Sequence, residues 1–246
     1  MIRHFAGALA ACALILSAYG MSPAFAEPAA PPAAAPTPTT NAATDAYLAS
    51  LLAQTRDAPT DADVAREAAV LGVEPAALRA VMEVEGGRTA FAEDGRPVIL
   101  FEPHLFSRAT QRRFDASNPA VSYPVWDRSK YPATQAARWA QLSEAYALDP
   151  DAALGAASYG RYQVLGRNFT MAGYADVRAF VSDLASSEAK QLTILGATIR
   201  GLGLLDELQR KDWAGFARGY NGPAGAARYG EQLTAAYARL SAPKAP

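Results

Sequence analysis

Pro75-Ala76-Ala77-Leu78-Arg79-Ala80-Val81-Met82-Glu83-Val84-Glu85-Gly86-Gly87 is the stretch that sets the class of fold. Pro75 sits where a first helical residue belongs, because its missing N–H would go unused there, and the paired glycines mark the exit. Between them Leu78, Val81, Met82 and Glu85 follow the i, i+3, i+4, i+7 spacing and share one face. A helix over 75–85 is therefore predicted, with an acid on its apolar stripe, whereas Glu83 falls beside Arg79 on the opposite, solvated side. A carboxyl on that stripe loses hydration and, in the last turn, meets the negative end of the helix dipole; both favour the protonated form. An ordinary Glu titrates near ~4.3 and has released its proton at neutral pH, so a raised one is what a general acid needs. If the helix frays at Gly86, the same residue is merely exposed, and the pattern alone leaves both readings open.

Outward from this helix the punctuation stays helical. Thr60 is an N-cap ahead of Asp61-Ala62-Asp63, and that helix runs to Leu71 before Gly72 stops it. Further helices are predicted over 133–147, 149–157, 176–184, 187–200, 212–220 and 224–240, while Pro97 to Phe101 is a short apolar run that fits a strand. The expected fold is mainly α with a minor β element. Two more acids stand where apolar residues belong. Glu102 closes the run Val98-Ile99-Leu100-Phe101, either as a second catalytic carboxylate or as the N-terminal acid of a helix starting at Pro103. Glu188 shares a stripe with Leu184, Leu192 and Leu195, which fits a buried hydrogen-bonding role or a first-turn acid placed for the dipole.

The N-terminus has a basic start, Met1-Ile2-Arg3-His4, an apolar run from Phe5 to Tyr19, and Ala24-Phe25-Ala26 before Glu27, the pattern of a secretory signal peptide over 1–26. The apolar stretch is shorter than the ~20 residues of a spanning helix, so no stable membrane insertion is expected after cleavage. A lipobox at Cys12 would leave almost no apolar region before it. Residues 27–44 are Pro/Ala/Thr-rich and fit a linker; the folded domain is expected over 45–241, and 242–246 form a short tail. Cleavage removes the chain's one cysteine and one of its two histidines, leaving His104. A disulfide, a thiolate metal site and a cysteine nucleophile are thereby excluded, and one histidine argues against a zinc hydrolase, so no metal or cofactor is expected. With 23 basic and 24 acidic residues the net charge is -1, and nothing argues for a nucleic-acid partner. Carboxylates are left to carry chemistry.

Glu85-Gly86-Gly87, Ser158-Tyr159-Gly160-Arg161-Tyr162-Gln163 and Gly219-Tyr220-Asn221-Gly222-Pro223, in this order, resemble the conserved blocks of lytic transglycosylases and goose-type lysozymes. The sequence resembles more closely the N-acetylmuramidase family of phage endolysins and bacterial muramidases. The likeness lies in Val84-Glu85-Gly86-Gly87, the run Asp94 to His104, Phe114-Asp115-Ala116-Ser117, and the run Trp213 to Pro223. It extends from about Thr60 to about Leu240. The resemblance implies a lysozyme-like helical domain, peptidoglycan as substrate, cleavage of the β-1,4 bond after N-acetylmuramic acid, and Glu85 as the acid. One departure is Gly86, where the family usually has a serine whose hydroxyl would help orient the carboxyl. The stretch 118–134 resembles the family less, and no residue is carried over from it.

On this expectation Glu85 protonates the glycosidic oxygen while charge builds on the anomeric carbon. With Glu102 as base, water enters and the enzyme is a hydrolase; without a second carboxylate, the substrate's own N-acetyl or 6-hydroxyl group closes the reaction and the enzyme is a lytic transglycosylase. Ser158, Gln163, Tyr220 and Asn221 are candidates for the groove, since hydroxyl and amide groups can bond acetamido and sugar hydroxyls and a tyrosine ring can pack on a sugar face. Tyr220 fits core packing with Trp213 and Phe216 as well, and Asn221 fits a left-handed helix end. A peptidoglycan-binding protein with a degenerate site is a further alternative, because fold alone does not establish activity. A serine hydrolase built on His104 and Ser107 lacks a nucleophile-elbow motif. Signal and substrate together place the protein in the periplasm or outside the cell, and a monomer is expected.

Overall fold

A computed structural model describes residues 42–87 and 89–243. The expected signal peptide, most of the expected linker and the end of the expected tail lie outside these residues. The order is α1 (Ala42–Ser50), α2 (Asp61–Leu71), α3 (Pro75–Glu85), β1 (Ile99–Phe101), α4 (Pro103–Ala109), α5 (Gln135–Leu148), α6 (Pro150–Gly155), β2 (Ala157–Tyr159), β3 (Val164–Leu165), α7 (Val177–Ser186), α8 (Glu188–Gly201), α9 (Leu205–Arg210), α10 (Trp213–Asn221) and α11 (Ala226–Ser241). Short 3-10 turns cover Arg128–Lys130 and Gly166–Phe169. The architecture is mainly helical with one small sheet, as expected.

Caps explain the boundaries. Thr60 and Asp63 form a reciprocal capping box at the start of α2, and Gly72 ends it in the left-handed conformation. Thr134, Asp149, Asp176, Ser187 and Asp212 cap α5, α6, α7, α8 and α10 through their side chains. Leu78 and Val81 of α3 are fully buried. The helix packs against α2 and along α11, which in turn packs on α10. Among the described residues no helix is long and apolar enough to cross a membrane.

The helix predicted over 149–157 stops early. Gly155 is its last residue, and Ala157-Ser158-Tyr159 form the middle strand of a three-stranded antiparallel sheet in the order β1-β2-β3. Ile99 faces Tyr159, Leu100 faces Ser158 and Phe101 faces Ala157. Pairing with the apolar run of β1 outweighs the helix propensity of the alanines. The outer edge of β1 is covered by α5: Gln135 accepts from Ile99 N–H at 2.8 Å and donates to Ile99 C=O at 3.2 Å, as a neighbouring strand would. The sheet thus has two distinct ends, one at the β2–β3 turn beside α3 and one at Glu102.

Candidate active site

Glu85 is the last residue of α3, so its side chain stands at a helix exit rather than along a wall. It keeps partial solvent exposure, yet enough protein surrounds it that burial pushes its carboxyl up to about 7, against a lowering hydrogen bond from Asn221. Asn221 Nδ2 donates to Glu85 Oε1 at 3.2 Å. Asn221 therefore touches the acid as a groove residue would. It is not the left-handed helix end: it closes α10 in helical geometry, and Gly222, at φ 76°, makes the turn.

The exit of α3 is clamped. Arg161, in the turn between β2 and β3, donates through Nη1 to Gly86 C=O at 3.1 Å and through Nε to Glu188 Oε2 at 2.7 Å. Its backbone N–H donates to Gln191 Oε1 at 2.8 Å. A cation on the last carbonyls of a helix offsets the negative end that would otherwise face Glu85. Glu188, buried on its stripe, thus serves the hydrogen-bonding role that its pattern allowed, and it acts on the site through Arg161. The turn is tight: Gly160 has φ +71°, and a Cβ there would meet the Gln191 amide at 2.4 Å.

Gly86 belongs to the same bracket. A Cβ at this position would lie 2.2 Å from the carbonyl oxygen of Met82 and 3.3 Å from the ring of Tyr162. A serine here would therefore need more than room for its hydroxyl, because the helix exit occupies the space its Cβ would take.

Gln163 is buried, with φ 48°, and its amide nitrogen donates to Gly160 C=O at 2.8 Å and Val98 C=O at 3.3 Å. It braces the turn that carries Arg161 to Gly86 C=O, and it does so with the donor that a sugar would have used. Ser158 is buried at the centre of the sheet, paired with Leu100 and Leu165. Tyr220 is buried too, its ring stacked on Phe216 at 5.6 Å and 9°, which fits the core alternative. Of the four groove candidates the structure brings Asn221 to Glu85; Gln163 is buried in the β2–β3 turn, and Ser158 and Tyr220 lie in the sheet and the core.

Glu102 follows β1 at the end of the sheet away from the turn. Its N–H bonds Ala156 C=O at 2.9 Å, and it precedes Pro103 as the N-cap of α4 without a side-chain cap bond. The carboxyl turns instead to Tyr131, whose hydroxyl donates to Glu102 Oε2. Burial pushes Glu102 up to about 7, against the lowering effect of that bond. His104 Nδ1 stands 3.5 Å from the same oxygen but makes no hydrogen bond among the described residues, and burial holds the imidazole below its usual value. Three steps of strand, about 10 Å at ~3.3 Å per residue, separate Ile99 at the turn end from Glu102. The two acids are thus set at opposite ends of β1. Among the described residues no three His, Cys, Asp or Glu side chains converge to hold a metal.

Arg161 and Tyr131 escaped the sequence reading. The signal for Arg161 was Glu188, since a buried acid requires a partner. Tyr131 lies within 118–134, where no block offered a match.

Comparison with known proteins follows the same lines. A family model described as N-acetylmuramidase matches residues 74–241. Among solved structures, the crystal structure of Burkholderia AP3 phage endolysin is similar with a TM-score of 0.69 and 36% identity, over 80% of this chain and 85% of that one. No curated protein matches the chain.

Proposed function

Because the chain belongs to the N-acetylmuramidase family of lysozyme-like glycoside hydrolases that act on peptidoglycan, we propose that it cleaves the β-1,4 bond between N-acetylmuramic acid and N-acetylglucosamine with Glu85 as general acid. The observation that carries this reading is a carboxyl at a helix exit, raised to about 7 by burial and held by the Asn221 amide at 3.2 Å. At neutral pH a substantial fraction keeps its proton, and that proton passes to the glycosidic oxygen as the bond to the anomeric carbon breaks. Arg161, drawn to Gly86 C=O and Glu188, fixes the exit so that the carboxyl does not wander as charge develops.

Glu102 is the candidate for the second group. As a base it takes a proton from the water that attacks the anomeric carbon, and Tyr131 must then release it or pass the proton along. The enclosure of Glu102 favours one alternative: if Tyr131 stays, no second carboxylate activates water, and the 6-hydroxyl of the muramic acid attacks the anomeric carbon to give an anhydro product, its proton passing to the Glu85 carboxylate that has just released one. In keeping with the N-terminal signal pattern, we place the protein in the periplasm or the exterior, and we propose separately that it acts as a monomer.

The test is digestion of purified peptidoglycan with residues 27–246 and with Glu85→Gln, followed by mass spectrometry of the fragments. Reducing muropeptides from the parent and none from the variant are expected. Anhydro ends would move the protein to the transglycosylases, and binding without release from either protein would leave a glycan-binding protein.

A further inference from the structure

Five large apolar side chains stand exposed among the described residues, and two of them are neighbours, Val125 at 71% and Trp126 at 49%. Single exposed apolar residues are ordinary, whereas an exposed tryptophan fixed in place beside a buried acid calls for a use. Trp126 is in ring contact with Tyr131. The two centroids lie 6.4 Å apart at 47°. Tyr131 in turn donates to Glu102, which is 3% exposed. The loop beneath is rigid as well: Asp127 accepts from Ser129 N–H at 3.0 Å and from its hydroxyl at 2.7 Å, and Lys130 sits over the Tyr123 ring at 4.5 Å.

We infer that Trp126 and Tyr131 form a saccharide subsite of the glycan groove, beyond the bond-breaking position at Glu85, which takes one N-acetylhexosamine ring of the strand. The inference rests on the muramidase reading above. A hexosamine ring offers a C–H face and a rim of hydroxyl and amide donors, and the site offers an aromatic face beside the half-buried Tyr131, whose hydroxyl oxygen can accept a hydrogen bond. A phosphate-bearing chain would stack on the same indole but would meet Glu102 and Asp127, acids of the wrong sign. The position is right for a strand laid along the sheet, because β1 carries the subsite at one end and the turn beside Glu85 at the other. The aromatic ring is preorganised, so binding loses little in ordering it.

Steady-state kinetics on soluble uncrosslinked glycan strands, with the parent, Trp126→Ala and Trp126→Phe, tests the assignment. Trp126→Ala is expected to raise KM about tenfold, roughly the worth of one ring contact, with a smaller change in kcat, and Trp126→Phe to recover most of it. Calorimetric titration of Glu85→Gln with an N-acetylglucosamine hexamer, with and without Trp126→Ala, should show the same loss in Kd. An active parent with KM and Kd unchanged by Trp126→Ala would overturn the subsite and leave the muramidase reading standing. A parent that neither cleaves nor binds glycan would overturn both.

Discussion

Glu85 and Glu102 reach the same protonation range by the same cause, burial, and differ in almost everything else. Glu85 ends a helix, keeps an open side, and is touched by an amide that is a weak donor at 3.2 Å. Glu102 ends a strand, is closed from solvent, and is capped by a tyrosine hydroxyl. A raised pKa therefore identifies neither as the acid. Access separates them, since Glu85 is the one with a side left open. The lesson is that a perturbed carboxyl becomes a catalytic candidate only when geometry leaves it something to protonate.

The sharpest way to break this contrast is to neutralise each acid in turn. Glu85→Gln is expected to lower muropeptide release by about 10³-fold or more with glycan binding retained, within the range of a lost general acid. Glu102→Gln should cost less, about 10-fold to 10²-fold, because the proton donor survives. Equal losses, measured as initial rates of reducing-end formation, would make the two carboxyls a true pair and undo the distinction drawn from access.

The second expected effect concerns the backbone that Glu85 stands on. Gly86→Ser puts a Cβ 2.2 Å from Met82 C=O, where only a backbone shift relieves the clash. A loss of about 1–3 kcal/mol is expected, the usual size of an overpacked site. For a domain of this size that is a fall of several °C in thermal midpoint. Activity should fall with it, since the shift moves the carboxyl and strains the Arg161 bond to Gly86 C=O. A serine variant that gains activity at unchanged stability would show that the exit is soft and that the hydroxyl was the missing part.

How much of this was legible in the chain follows from what each residue depends on. The helix over 75–85, its acid and the capped helices around it were readable because periodicity and caps act within a few residues. The helix predicted over 149–157 overran its end into the first residue of β2, because Ala157 becomes extended only when β1 lies alongside, a contact made across more than fifty positions. Gln163 and Ser158 were placed in the groove by residue type, and their burial was set by the turn and the sheet. Tyr131 reaches Glu102 from a stretch without a periodic signal, and Arg161 reaches Gly86 across 75 positions. Long-range partners of this kind leave only an indirect trace, such as a buried acid in want of a cation.

A third prediction uses stability. Glu85 has a folded-state pKa of about 7 against an ordinary 4.5, so between these values the folded protein holds a proton that the unfolded chain has released. Its protonated form stabilises fully below about 4.5, and that contribution is lost as pH rises through about 7. Glu85→Gln removes the loss. Its thermal midpoint should match the parent's near pH 4 and exceed it at pH 8, by an amount equivalent to about 2 kcal/mol once partial exposure is allowed for. A constant offset at both pH values, followed by circular dichroism melts, would place the burial elsewhere.

The smallest effect is the most specific to the contact between α10 and α3. The Asn221 amide donates to Glu85 and favours its charged form, so its removal should raise the carboxyl's pKa further. The acid must be protonated to act, and the rate accordingly falls as pH rises through that value. In Asn221→Ala the alkaline limb of kcat against pH should move upward by roughly half a unit, the modest shift that a single long neutral donor supports, while kcat itself drops several-fold as the carboxyl loses its orientation. A pure loss of folding would lower the whole profile without moving its limb. A limb that moved downward would mean that Asn221 had been holding the protonated form, with the amide oxygen rather than the nitrogen turned to Glu85.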